Sequence, residues 1–154
     1  MLTDKQIIEK YGQPGDISSL TVLKLPYPMR IAWDTKATVQ KMQCHKLVAP
    51  NFQAVFEQLL ENYQLPKIQE LGIDLFGGCV NLRTMRGSKT KWSRHAWGIA
   101  IDLDPTRNGL KTKWPNAQFA KPEYKEMLAI FKKNGFISYG ADRGYDAMHF
   151  EIGQ

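Results

Sequence analysis

Cysteine is scarce in this chain: Cys44 and Cys79 are the two examples among 154 residues. They form no Cys-x-x-Cys pair, which excludes a zinc ribbon, and the expectation is two reduced, buried thiols. Long hydrophobic runs are missing as well. None approaches the roughly 20 apolar residues that a membrane-spanning helix needs. The opening residues, Met1-Leu2-Thr3-Asp4-Lys5-Gln6, lack a basic segment followed by an apolar core. The expectation is therefore synthesis in the cytoplasm without a signal peptide, so that any action elsewhere needs a separate means of release. Internal repeats and low-complexity segments are absent. Gly87-Ser88-Lys89-Thr90 resembles the tail of a phosphate-binding loop, but the upstream glycine, Gly78, lies too far away and no helical pattern follows. Acidic residues are missing from the whole stretch between Asp74 and Asp102, while Arg83, Arg86, Lys89, Lys91 and Arg94 all fall within it.

What is present is a chain of single-domain length with an ordinary soluble composition, 43% hydrophobic and 23% charged. The net charge of +6 favours a polyanionic partner such as nucleic acid, an anionic membrane face or a cell-wall polymer. No stacking motif or recognition helix supports nucleic acid.

Read in order, Thr3 or Asp4 caps a short helix to about Tyr11, and Gly12-Gln13-Pro14-Gly15 ends it. Leu20 to Leu25 alternates weakly, Pro26 and Pro28 argue against a central strand, and Arg30 to Trp33 suits a short strand. Residues 1–43 thus read as an irregular wrap around a catalytic core of residues 44–154. A helix of about fourteen residues starts near Pro50, with Phe52, Val55, Phe56, Leu59 and Leu60 on one face and Pro66 as its stop. Leu75 to Leu82 reads as a strand with a glycine pair, and Ile99 to Leu103 alternates strictly. In the latter, Ile99, Ile101 and Leu103 share one face, while Ala100, Asp102 and Asp104 share the other. Pro122 opens a helix to about Lys133, Phe136 to Tyr139 suggests a strand, and Gly140 to Gly144 a turn. Met148 to Ile152 is a final strand with His149 and Glu151 on one face. The order implies an α+β domain with a small, mainly antiparallel sheet and flanking helices.

The chemistry concentrates in two stretches, Ser93-Arg94-His95-Ala96-Trp97-Gly98-Ile99-Ala100-Ile101-Asp102 and Asp146-Ala147-Met148-His149-Phe150-Glu151. Of the three histidines, His45 reads as structural. His95 and His149 lie beside carboxylates. On one continuous strand, a spacing of seven would point His95 and Asp102 to opposite faces. Gly98 permits a bend, so that His95 arrives from a loop while Asp102 projects from a strand beside the small Ala100. His149 can join them from a neighbouring strand. Two imidazoles and a carboxylate suit one catalytic Zn²⁺ ion, with the fourth position left for water. Such an ion lowers the pKa of its water from about 16 to about 7. The base must then be a carboxylate that is not a ligand. Asp146 and Glu151 are the candidates, with spacing slightly favouring Asp146.

The first of these stretches matches the Ser-x-His-x-x-Gly-x-Ala-x-Asp signature and resembles the zinc D,D-peptidase family typified by VanX and VanY. The similarity runs from about Cys44 to Glu151, and its nearest branch is the L-alanyl-D-glutamate endopeptidases of phage endolysins. The resemblance implies a hedgehog/D-Ala-D-Ala-peptidase-like fold and one Zn²⁺ held by His95, Asp102 and His149. It also implies Asp146 as general base and Arg83 as the group that polarises the scissile carbonyl, with Arg86 as its less favoured substitute. Ser93 and Trp97 are expected to line the site, and the basic segment to hold carboxylates of a peptidoglycan stem peptide. The function implied is hydrolysis of peptidoglycan stem peptides by a monomeric phage endolysin, acting on the wall after release from the host cytoplasm. The alternatives are a D-Ala-D-Ala carboxypeptidase or dipeptidase, and a non-catalytic zinc-binding module that recognises the wall.

Overall fold

The computed structural model describes residues 1–153. Helix α1 (Asp4–Tyr11) begins at a capping box, in which the Thr3 side chain accepts from the Gln6 N–H and the Gln6 side chain accepts from the Thr3 N–H. Strands β1 (Leu20–Ile31) and β2 (Asp34–His45) follow as a long antiparallel hairpin. The irregular wrap expected over residues 1–43 is therefore corrected to a helix and a hairpin.

The prolines of β1 mislead for an identifiable reason. Leu23, Leu25, Tyr27 and Met29 are all buried, so period-two alternation runs straight through the segment. Pro26 and Pro28 take the opposite face. They fall where the register jumps from Lys24↔Lys41 to Met29↔Val39, a bulge that asks no ladder hydrogen bond of them.

Helix α2 (Ala49–Leu71) buries Phe52, Val55, Phe56 and Leu59 as expected but continues past the predicted stop. It breaks at Gln64 (φ 64°) and resumes, with Pro66 in the first turn of the second segment, where a missing N–H costs nothing. Strand β3 (Leu75–Gly78) is shorter than the run to Leu82 suggested. After it come β4 (Ala100–Leu103), α3 (Lys125–Lys133), β5 (Phe136–Ser138), α4 (Tyr139–Arg143) and β6 (His149–Ile152). The turn expected at Gly140 to Gly144 is mostly this short helix, whose N-cap Ser138 accepts from the Ala141 N–H.

The six strands form one sheet in the order β2-β1-β3-β4-β6-β5. Among the described residues only the β1–β3 pair is parallel, so the sheet is mixed and mainly antiparallel, in an α+β domain. Helices α2 and α3 pack against one another, α2 on β1 and α3 on β5. Alternation sends Phe150 of β6 into the core, where it stacks on Phe131 of α3 with ring centroids 4.0 Å apart. The opposite faces of β4 and β6 carry Asp102, His149 and Glu151. Cys44 and Cys79 are free and buried. Among the described residues no helix is long and apolar enough to cross a membrane.

Candidate metal centre

Strand register brings the two chemical stretches together. In the antiparallel β4–β6 ladder Asp102 lies directly opposite His149, and Ala100 opposite Glu151. Directly paired residues share a face, so the carboxylate and imidazole meet, with His149 Nδ1 3.1 Å from Asp102 Oδ1. His95 arrives from a 3₁₀ turn, Arg94–Trp97, whose N-cap Ser93 accepts from the His95 N–H. Gly98 ends that turn in the left-handed region (φ 71°), and a Cβ there would stand 2.9 Å from the His45 nitrogen. Conformation and space both demand glycine at this bend. It lets His95 turn back to the strand face of Asp102 and set Nε2 3.2 Å from Asp102 Oδ2.

The hydrogen bonds prescribe the state of each ring. His95 Nδ1 lies 2.7 Å from the Cys79 carbonyl, which can only accept, so Nδ1 carries a proton and Nε2 is left as the nitrogen that faces Asp102. Nε2 is buried and has no hydrogen-bond partner, although the Asp102 carboxylate is close. A bare imidazole nitrogen facing a carboxylate repels it unless a cation lies between. His149 uses Nε2 on Glu151 Oε1 (2.9 Å) and points Nδ1 at Asp102. One donor atom from each of His95, Asp102 and His149 falls within 4.8 Å of the others. Four-coordinate zinc with bonds near 2.1 Å separates its ligand atoms by roughly 3.4 Å, so the cluster accommodates the ion with little movement.

Electrostatics reflect the same arrangement. Burial alone would raise the Asp102 pKa, but the hydrogen bond with His149 and the His95 and His149 imidazoles alongside outweigh it and hold the carboxyl well below the usual range. Burial alone would lower His149, but Asp102 and Glu151 together push it up to about 9. Asp146 behaves differently. It enters β6 through a left-handed backbone (φ 55°), is buried, and leaves Oδ1 without a partner. Burial and the Asp102 charge push its pKa up against the pull of His149, His95 and Arg86. A buried carboxylate with an unpaired oxygen and a raised pKa, beside a group of residues that could hold a metal, suits proton transfer.

A cleft of about 150 Å³ opens over the cluster, and Arg83, Arg86, Ser93, Arg94, Asp146 and His149 are among its walls. Arg83, Arg86 and Ser93 line this cleft. Trp97 does not. It is 2% exposed, and its Nε1 donates to the Gly12 carbonyl, so it anchors the end of α1 instead of lining the cleft. The basic segment also divides. Arg94 turns inward to Asp4 and the carbonyls of Leu2 and Trp92, with Glu151 Oε2 at 3.8 Å, so much of its charge is neutralised internally. His45 is structural as read, hydrogen-bonded to the Tyr11 carbonyl and the Leu47 N–H.

Two groups escaped sequence reasoning in their actual roles. Glu151 lies outside the group of three that could hold a metal ion. It holds the far nitrogen of His149, and its pKa, raised by burial, is brought down by that imidazole together with Tyr139 and Arg94. Alternation placed it on the His149 face but could not tell a proton acceptor from a support. The Cys79 carbonyl is a backbone group and leaves no side-chain signal.

Residues 86–152 match a family model described as D-alanyl-D-alanine carboxypeptidase. The matched segment contains His95, Asp102, Asp146 and His149 and ends at the last residue of β6. It supports the peptidase family to which the signature pointed, a hydrolase class for which peptidoglycan is a fitting substrate. No curated protein and no solved structure matches the chain.

Proposed function

We propose, from the premise that residues 86–152 belong to the D-alanyl-D-alanine carboxypeptidase family, that this chain is a zinc-dependent endopeptidase cutting the L-Ala–D-Glu bond of peptidoglycan stem peptides. The observation that carries the reading is the His95–Asp102–His149 cluster, with the unpaired Asp146 oxygen in the same cleft. His95 Nε2, an Asp102 oxygen and His149 Nδ1 would hold the ion. Zinc bound there would acidify a water and polarise the scissile carbonyl.

The chain's own groups supply the remaining steps. Asp146 takes the proton of the attacking water, since its raised pKa makes it a better acceptor than an ordinary surface carboxylate. Arg83, on the cleft wall, donates to the oxygen that gains charge; one such donor contributes about 3 kcal/mol to the transition state. Asp146 then delivers its proton to the departing amine. Arg86 and Arg83 give the cleft the positive charge that attracts the free carboxylates of a stem peptide. An aspartate at position 146, where the carboxypeptidase and dipeptidase branch usually has glutamate, favours the endopeptidase reading. Lysis of the wall from within, by an enzyme released from the host cytoplasm, is the biological setting this activity suits.

The test is digestion of purified cell walls with the new amino termini identified. D-Glu termini that disappear on chelation and return with added zinc are the expected result. Release of free D-Ala would instead establish the carboxypeptidase, and activity unchanged by chelation would overturn the metal mechanism.

A further inference from the structure

A second groove reaches the metal ligands from the hairpin side. It has a volume of about 190 Å³ and is bounded by Trp33, Gly77, Gly78, Val80, Asn81, Arg83, His95 and Asp102. It shares Arg83 and Asp102 with the catalytic cleft, so the two meet across the metal cluster. Trp33 sits in the turn between β1 and β2 and is 72% exposed.

An indole so exposed is held on a fixed support. The Ala32 N–H beside it donates to the Phe76 carbonyl, and Arg30 two residues further back makes a forked pair with fully buried Asp74. At Gly78 (φ 120°) an added Cβ would meet nothing within 4 Å, so this part of the groove is open space beside bare backbone.

The two grooves differ in the groups they offer a substrate. The catalytic cleft adds Arg86 to the shared Arg83, together with Asp146, Glu151 and an Arg94 already paired with Asp4. Apart from Arg83 and the metal ligands, the hairpin groove offers an aromatic face, glycine backbone, Val80 and the Asn81 amide. A substrate cleaved in mid-chain must leave the metal cluster in both directions. In a peptidoglycan stem, the free carboxylates lie on the C-terminal side of the L-Ala–D-Glu bond. The N-terminal side is a single alanine joined to an uncharged amide and then to a pyranose.

We propose that the Trp33 groove is a saccharide subsite, which receives the glycan-bearing end of the substrate while the Arg86 side takes the acidic stem. The weakly positive C–H face of a pyranose stacks on the negative face of the indole, and Asn81 and the open backbone hydrogen-bond the amides. This assignment rests on the endopeptidase reading above, and it sets the direction in which substrate lies across the site.

The experiment compares two substrates, a disaccharide-linked stem peptide and the same peptide without sugars, in wild type, Trp33→Ala and Trp33→Phe. The expected result is a fall of about two- to tenfold in kcat/KM for the sugar-bearing substrate in Trp33→Ala, carried by KM, the range typical of one lost aromatic contact. The sugar-free peptide should be cleaved equally by all three proteins, and Trp33→Phe should recover part of the loss. Unchanged thermal midpoints establish that the variants are folded. Equal losses on both substrates, or none on either, would overturn the subsite while leaving the endopeptidase intact. Failure of wild type to cut either substrate at the L-Ala–D-Glu bond would overturn both.

Discussion

Charge is buried at two places along the sheet, in opposite ways. Beneath the β1–β2 hairpin, Asp74 is fully buried and both its oxygens are taken by Arg30, whose Nη2 also reaches the Gln69 carbonyl. Nearby, buried Asp104 is paired with Arg107, which also donates to the Leu71 carbonyl. These networks are closed, and they hold chain segments together. On β4 and β6 the carboxylates face imidazoles instead, and His95 Nε2 and Asp146 Oδ1 are left without hydrogen-bond partners. An unmatched buried polar atom costs roughly 1–3 kcal/mol. Two of them around Asp102 mark a place organised for something that is not part of the chain. Guanidinium satisfies a carboxylate for structure, whereas imidazole leaves it available to a metal and a proton.

The contrast breaks first at Asp146. Replacing it with Asn should lower turnover about 10²- to 10⁴-fold, the usual contribution of a general acid–base group, while the protein still binds one zinc by metal analysis. Loss of zinc together with activity would make Asp146 a ligand and the network a different one. In the closed network, Asp74→Ala should strand Arg30 and cost about 3 kcal/mol, the lower end for a broken buried pair because Arg30 is partly exposed. Denaturant unfolding should register that loss, and zinc affinity should stay put. Glu151→Gln should weaken zinc binding about 10- to 100-fold in competition with a chelator, since the support of the His149 ring changes while every ligand remains. An unaltered affinity would show that Glu151 merely fills space.

The smallest effect is a pH dependence of the metal-free protein. The His149 pKa is raised from 6.5 to about 9. Its charged pairing therefore stabilises the fold fully below pH 6.5 and is lost as pH rises through about 9. Asp146 is also raised, so its contribution is present below its ordinary pKa of 3.8 and gone at neutral pH, where ionisation in a buried site opposes folding. Chelated protein should thus lose stability between pH 6.5 and 9 in denaturant titrations, and Asp146→Asn should be the more stable form at pH 7.

The C-terminal half of the chain was legible because its signals are local. Gly98, the alternation of Ile99 to Leu103, and the spacing of Asp146, His149 and Glu151 each act within a few residues, and β4 and β6 realise them directly. The hairpin was not legible, because prolines argue against strands unless a bulge removes the need for their N–H groups. That bulge depends on how Lys24 to Met29 is matched against β2. Trp97 differs for a related reason: in sequence it neighbours His95, but its ring points to Gly12 at the end of α1.

The chain by itself therefore determined which residues could bind a metal, since ligand chemistry resides in side chains and strand faces follow from period two. Only the tertiary structure decided how those residues divide their work. Register set Asp102 opposite His149, the Cys79 carbonyl selected the proton position on His95, and Glu151 became a support because its partners come from β6 itself, α4 and the turn before β4. The same holds for Trp33, an ordinary turn residue in sequence. The parallel pairing of β1 with β3 carries the hairpin tip to the edge of the metal cluster, a contact that no local pattern encodes.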